Sequence, residues 1–291
     1  MSLPTPPTLP RCYRHPDREA GRSCTRCGKP ACSDCLVQAT VGSHCLDCAK
    51  AARPDIKSRA QIWNARQLTP VTMAFMAINI AVFVWMMIQD SSAGSGDVTR
   101  SQVDLGLYAP FLRFDHEWYR LVTSGFVHFG FIHLAFNMFA LYQLGQIVER
   151  AVPHVQFALL YFAALLGGSL GALLVEGTTP SLTAGASGAV FGLLGAAAVG
   201  LHRRGINIFS TGIGTALMLN LVITFSISGI SIGGHLGGLV AGGICGFVML
   251  APRWHAIPKW VPYVVPIAVG VVCVVASILY VNTLDFGVPP L

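Results

Sequence analysis

Two groups of residues in this chain have the types and spacing to do chemistry, and they sit in different solvents. One is Ser187, in the turn Gly185-Ala186-Ser187-Gly188, with His235, His133 and Asn137, each set within an apolar stretch. A serine beside a histidine pairs a nucleophile with a general base. His133 and Asn137 are four residues apart, hence one turn apart on one helix face, and both donate hydrogen bonds. With the Ser187 backbone N–H they can hold the oxyanion of a tetrahedral intermediate. Each residue also has a plain explanation: a membrane serine that bonds its own backbone, or a His–Asn clamp between helices. An ionisable residue inside a span is nevertheless costly and marks a functional site by default. No carboxylate accompanies His235 at its level, so the expected catalytic unit is a dyad rather than a triad. His128, five residues before His133, points away from it on a continuous helix and is expected to be structural, bonded to the preceding loop.

The second group is polar and cysteine-rich. Seven of the nine cysteines lie between 12 and 48, as Cys12-x2-His15, Cys24-x2-Cys27, Cys32-x2-Cys35 and Cys45-x2-Cys48. Four such pairs are eight soft ligands, enough for two tetrahedral zinc ions in a structural role. Disulfides are the alternative, but a cytoplasmic setting keeps thiols reduced, and fifty residues without an apolar core need a staple to fold. His44 can stand in for Cys45, and the spacing does not decide between them. Cys245 and Cys273 lie in apolar stretches and read as packing residues.

The elements that position these residues follow from composition. With 53% hydrophobic and only 11% charged residues and a mean hydropathy of +0.60, most of the chain is a polytopic membrane protein. Seven stretches are long enough to cross or nearly cross a hydrocarbon core about 30 Å thick, near 69–89, 121–148, 152–175, 186–202, 206–226, 230–251 and 261–281. Arg53, Lys57, Arg59 and Arg66 before the first, His202, Arg203 and Arg204 after the fourth, and Arg253 and Lys259 after the sixth all fall on one side. The positive-inside rule then puts the amino terminus in the cytoplasm and the carboxyl terminus outside. The net charge of +6 is explained by anionic lipid, with no nucleic acid required. Counting up from the inner ends at about 1.5 Å per residue puts His133 and Ser187 roughly 24 Å and His235 roughly 27 Å above the cytoplasmic face. Three polar residues from three spans thus reach nearly one level, beneath the outer surface. The segment from Thr178 to Ser187 is expected to be non-helical and to border a wet cavity. Glycines after Ser187 (Gly188, Gly192, Gly195) and around His235 (Gly233, Gly234, Gly237, Gly238, Gly242, Gly243) let the fourth and sixth spans approach closely. The organisation read from these features is a zinc-binding module over 1–50, a basic juxtamembrane linker over 51–68 with Trp63 as an interfacial anchor, a six-span core over 69–251, and a loop, seventh span and outer tail over 252–291.

The amino-terminal pattern resembles the B-box zinc fingers. That resemblance implies crossed pairing, with Cys12, His15, Cys32 and Cys35 on one ion and Cys24, Cys27, Cys45 and Cys48 on the other. Gly185-Ala186-Ser187-Gly188, Gly234-His235-Leu236-Gly237-Gly238 and His128-x4-His133-x3-Asn137 together resemble the rhomboid intramembrane serine proteases, over roughly residues 69–251. Glu117-Trp118-Tyr119-Arg120 looks like that family's first-loop Trp-Arg element, with Tyr119 intervening. The resemblance implies an all-α, six-helix core with a seventh, added carboxyl-terminal helix, and an endopeptidase that cuts transmembrane segments with Ser187 as nucleophile, His235 as base and His133 with Asn137 as oxyanion stabilisers. Phe191 stands where many members have a tyrosine, and Gly234 where an alanine is common. No cofactor is expected for catalysis. Expected partners are transmembrane protein substrates, membrane lipids and a cytoplasmic protein for the zinc module. Arg120 is expected to pin the 90–120 loop to backbone or to lipid phosphate. The alternatives are a rhomboid-like protein that binds membrane helices without cutting them, against which both the serine and the histidine are present, and a proton relay through His133 and His235, against which no carboxylate lies deep in a span.

Overall fold

The computed structural model describes residues 9–39, 41–51, 69–179, 181–252 and 257–286. The chain forms two compact units, residues 1–67 and 68–291. The linker expected over 51–68, Trp63 included, lies outside the described residues except for Ala51, as does Arg253.

In the first unit two small antiparallel ribbons carry the cysteine pairs. Strand β1 (Arg22–Ser23) pairs with β2 (Pro30–Ala31), and β3 (Leu36–Gln38) with β4 (Ser43–Cys45), followed by a short helix over Leu46–Ala51. The buried apolar cluster here is Cys12, Ala20, Ala31, Cys32 and Cys35. Three of those five are candidate ligands, which is too little apolar area to hold so short a segment folded.

The second unit is a helical membrane bundle. Its seven long helices are α1 (Pro70–Gln89), α2 (Gly130–Val148), α3 (His154–Glu176), α4 (Ser187–Arg203), α5 (Gly212–Ser226), α6 (Ile232–Met249) and α7 (Val261–Val281). Five of these are long and apolar enough to cross a membrane: α1, α2, α3, α6 and α7. The other two are shorter, α4 with 17 residues and α5 with 15. For α4 the reason is the segment before it, which is non-helical from Leu182 to Gly185, with an isolated bridge from Thr183 to Leu107, instead of continuing the helix. Its backbone polar groups are satisfied by neighbours, as burial demands. Thr183 exchanges hydrogen bonds with Leu107 at 2.8 and 2.9 Å, and Gly185 N–H donates to Ser124 at 2.9 Å.

The helix expected over 121–148 is broken. Arg120–Thr123 is helical and Ser124–Phe126 is a 3-10 turn, Val127 is extended, and Gly130, the first residue of α2, adopts φ +83°. A left-handed glycine reverses the chain cheaply, so His128 precedes the helix that carries His133 rather than sharing it.

At the centre, α3, α4 and α6 meet through glycines on two faces of α6. Gly233 and Gly237 oppose Gly171 and Gly167 of α3; a Cβ on Gly237 would lie 2.2 Å from the Gly167 carbonyl oxygen. Gly238 and Gly242 oppose Gly188 and Gly192 of α4; a Cβ on Gly238 would lie 2.0 Å from the Gly188 carbonyl oxygen. In lipid, where helices gain no hydrophobic drive by associating, such backbone proximity supplies the dispersion and polar contacts that hold them.

Two carboxylates fasten helix ends. Glu149, just past α2 and buried, accepts from the N–H groups of Val71 (3.0 Å) and Thr72 (2.8 Å) and from the Thr72 hydroxyl (2.6 Å), all in the first turn of α1. Glu176, the last residue of α3, accepts from the Ser231 hydroxyl (2.5 Å) and Gly233 N–H (3.0 Å) at the start of α6. The orphan N–H groups and partial positive charge of a helix N-terminus make a carboxylate the natural cap. The loop over 90–120 folds around Arg120, whose guanidinium donates to the carbonyls of Val103 and Gly106, pairs with Glu117 and lies 4.5 Å over the Phe111 ring. Arg120 thus takes backbone carbonyls and the Glu117 carboxylate as its partners.

Candidate active site

Ser187 is the first residue of α4, while His133 and His235 are each the fourth residue of their helices, α2 and α6. All three residues thus stand at the amino-terminal ends of their helices. The first intrahelical bond of α4 runs from Val190 N–H to the Ala186 carbonyl at 3.0 Å. The N–H groups of Ser187, Gly188 and Ala189 therefore remain as donors, at the positive end of the helix dipole.

Gly185 is the hub. It adopts φ +133°, and a Cβ placed on it would lie 2.8 Å from His133 Nε2 and 3.6 Å from Ser187 Oγ. Those two polar atoms thus face the same bare backbone position. His133 Nδ1 accepts from the Phe129 N–H at 3.3 Å, so in the neutral ring the proton sits on Nε2 and that nitrogen is a donor. Asn137 is buried one turn on, and its amide currently donates to the His133 carbonyl at 3.0 Å.

On the other side, the Phe191 ring, one turn after Ser187, stacks on His235 with centroids 4.0 Å apart and planes 17° apart. His235 Nδ1 lies 2.7 Å from the Thr224 hydroxyl of α5. Among the described residues no hydrogen bond joins Ser187 to His235; they stand on adjoining helices, with Phe191 and the Gly188–Gly238 contact between those helices as the link.

The expected orientation of the His128 ring, and its bond to the preceding loop, are corrected. Its ring is fully buried and 5.1 Å from that of His133, edge to face, and among the described residues neither ring nitrogen has a hydrogen-bond partner, while its backbone carbonyl bonds the loop, accepting from Gln102 at 3.0 Å. The break before α2 turns it toward His133. Two residues at the site escaped the sequence reading. Thr224 looks like any helix threonine, and Glu176 like a solvated charge at a span end. Ser231 three residues before Gly234, a capping spacing, was the available signal for the latter.

In the first unit the structure gathers Cys12, His15, Cys32 and Cys35 in one group and Cys24, Cys27, Cys45 and Cys48 in another, the ligand atoms of each lying within 4.8 Å of one another. His44 belongs to neither and faces Val37 across the β3–β4 ribbon. His15 Nδ1 is 3.4 Å from Cys32 Sγ and Cys35 Sγ and 4.0 Å from Cys12 Sγ, and Cys27 Sγ is 3.7 Å from Cys45 Sγ. Zinc bound at about 2.3 Å to sulfur and about 2.0 Å to nitrogen has tetrahedral edges of about 3.5–3.8 Å. Both groups can hold a metal ion, and their donors fit that one.

A multi-pass helical membrane protein with a serine at one helix start and histidines near two others is the class that fold and site define. Residues 115–252 match the family described as the Rhomboid domain. The chain is similar to Rhomboid protease GluP of Bacillus subtilis (strain 168), 34% identical over 191 residues that make up 65% of this chain and 36% of that protein. It is similar to RHOMBOID-like protein 5 of Arabidopsis thaliana, 33% identical over 153 residues, 50% of this chain and 49% of that one. To Rhomboid-like protease 1 of Toxoplasma gondii it is 32% identical over 177 residues, 56% of this chain and 57% of that one. The chain therefore spans between about a third and three-fifths of the length of these relatives.

Proposed function

We propose that the protein is an intramembrane serine endopeptidase that cuts transmembrane segments of membrane-protein substrates, with Ser187 as nucleophile and His235 as general base. The observation that carries this reading is the convergence at Gly185 and Phe191. A donor nitrogen of His133 and the Ser187 hydroxyl face one glycine, while the ring that follows Ser187 by one turn stacks on His235. The proteases named among the relatives support it.

A substrate helix unwinds locally and presents a carbonyl carbon to Ser187 Oγ. As the C–O bond forms, the hydroxyl proton passes to His235 Nε2, and the carbonyl oxygen becomes an oxyanion. The Ser187 N–H, His133 Nε2–H and the Asn137 amide, once released from its own helix, receive that charge; each such donor is worth about 10²–10³ in rate. His235 then returns the proton to the leaving amine, and a water, activated by the same ring, hydrolyses the ester. The base contributes a further 10²–10⁴ or so.

The cations between the spans favour a cytoplasmic amino terminus and an outer carboxyl terminus, with the site opening toward the outer side and lipid surrounding the bundle. Cys12, His15, Cys32 and Cys35 hold one zinc ion, and Cys24, Cys27, Cys45 and Cys48 the other. Zinc supplies folding energy to the module and no step of the hydrolysis. The module's role is to meet a cytoplasmic protein.

The test is an active-site-directed fluorophosphonate together with cleavage of a transmembrane substrate in proteoliposomes. Wild type is expected to label and to cleave, and Ser187→Ala to do neither; a well-folded wild type that does not label ends the protease reading.

A further inference from the structure

We infer that Thr224 is the positioning residue that holds His235 in the tautomer a base for Ser187 must have. The inference rests on the dyad proposed above and adds to it a residue from α5.

Thr224 Oγ1 and His235 Nδ1 are 2.7 Å apart, and both side chains are buried, Thr224 to 1% exposure. A hydroxyl carries a single proton. Thr224 donates it to the Asn220 carbonyl, four residues back on α5, at 2.7 Å. Toward His235 the oxygen is then an acceptor, and the imidazole must bring its hydrogen on Nδ1. That leaves the lone pair on Nε2, the nitrogen that has to take the serine proton. Phe191 fixes the plane of the ring but has no polar atom, and among the described residues His235 makes no other side-chain hydrogen bond. In a Ser-His-Asp triad the carboxylate selects the tautomer; here a neutral hydroxyl does so without burying a second charge. His133 shows the opposite arrangement, with Nδ1 accepting and Nε2–H donating. One histidine is thereby set as base and the other as donor.

A threonine that bonds the carbonyl four residues back is ordinarily structural. A structural threonine has no need of a buried imidazole nitrogen at 2.7 Å. Nor does α5 depend on packing there, since Ile213 and Gly214, at its far end, are its other buried residues.

The full-length protein is assayed with a fluorogenic transmembrane peptide, and its histidine nitrogens are read by nitrogen-15 NMR, as wild type, Thr224→Val, Thr224→Ser and Ser187→Ala. Thr224→Val, which keeps the shape and loses the acceptor, is expected to lower kcat about 10- to 100-fold with KM within about two-fold. Thr224→Ser is expected to recover kcat to within about three-fold of wild type, since the acceptor returns. Wild-type His235 is expected to be protonated at Nδ1, and in Thr224→Val to lose that preference. Protonation at Nε2 in the wild type overturns the inference even if no variant folds. So does an unchanged kcat in Thr224→Val, or equal losses in the valine and serine variants. Retained activity in Ser187→Ala sinks the dyad instead, and the tautomer measurement separates the two failures.

Discussion

At the residue scale the site is shaped as much by a missing side chain as by those present. Gly185 holds φ +133°, and a Cβ there would press on His133 Nε2 at 2.8 Å. Gly185→Ala therefore combines backbone strain of about 1–3 kcal/mol with displacement of His133, the proposed oxyanion donor. Its expected signature is a fall in kcat/KM of about 100-fold, read in the peptide assay, in protein that still unfolds cooperatively. The polar residues here were legible because Ser187, His133, Asn137 and His235 interrupt apolar runs, and such interruptions are costly. Thr224 was not legible, because the local pattern of a threonine that meets an imidazole is the same as that of one that only back-bonds. The direction of the His128 ring was hidden for a different reason. Hydropathy runs unbroken through 121–148, and only the positive φ of Gly130 shows that the helix starts late.

At the scale of elements, three helices touch at backbone distance and the others surround them. Gly238→Ala places a methyl group 2.0 Å from the Gly188 carbonyl oxygen, so α4 and α6 must part. Overpacking of this kind costs about 1–3 kcal/mol. Thermal unfolding in detergent is expected several degrees below wild type, with cleavage reduced as well because Gly188 adjoins Ser187. Gly212→Ala, at the open start of α5 with nothing within 4 Å of the new methyl, is expected to change neither. The α4–α6 contact could be read from glycine spacing on two segments that also carried chemistry. The part of α3 could not, although Gly167, Gly168 and Gly171 have the same character, because no polar residue drew attention to that face. The ends of α5 and α2 were set by local turns, at Asn207 and at Gly130, to which hydropathy is blind.

For the whole molecule, two units answer to two different solvents. Among its described residues the small unit has almost no apolar core, so its stability is expected to be that of its metal sites. Two zinc ions per chain are expected by elemental analysis of the purified protein. Cys12→Ser with Cys32→Ser is expected to leave one, because both residues belong to the same group; if adjacent pairs shared an ion instead, the double variant would lose both. The class of the membrane unit was plain from composition, and the crossed cysteine grouping came from a resemblance rather than from spacing, which permits either pairing. In the bundle, Glu149 has a consequence for biogenesis. The ribosome delivers the start of α1 some eighty residues before it delivers the carboxylate that caps it. Bare amide hydrogens are poorly tolerated in hydrocarbon, so α1 cannot settle at its final depth until α2 has crossed and brought Glu149 back to the same face. The first two helices thus mature as one hairpin. Glu176, by contrast, is already in place when α6 emerges, so the histidine-bearing helix docks onto a waiting cap.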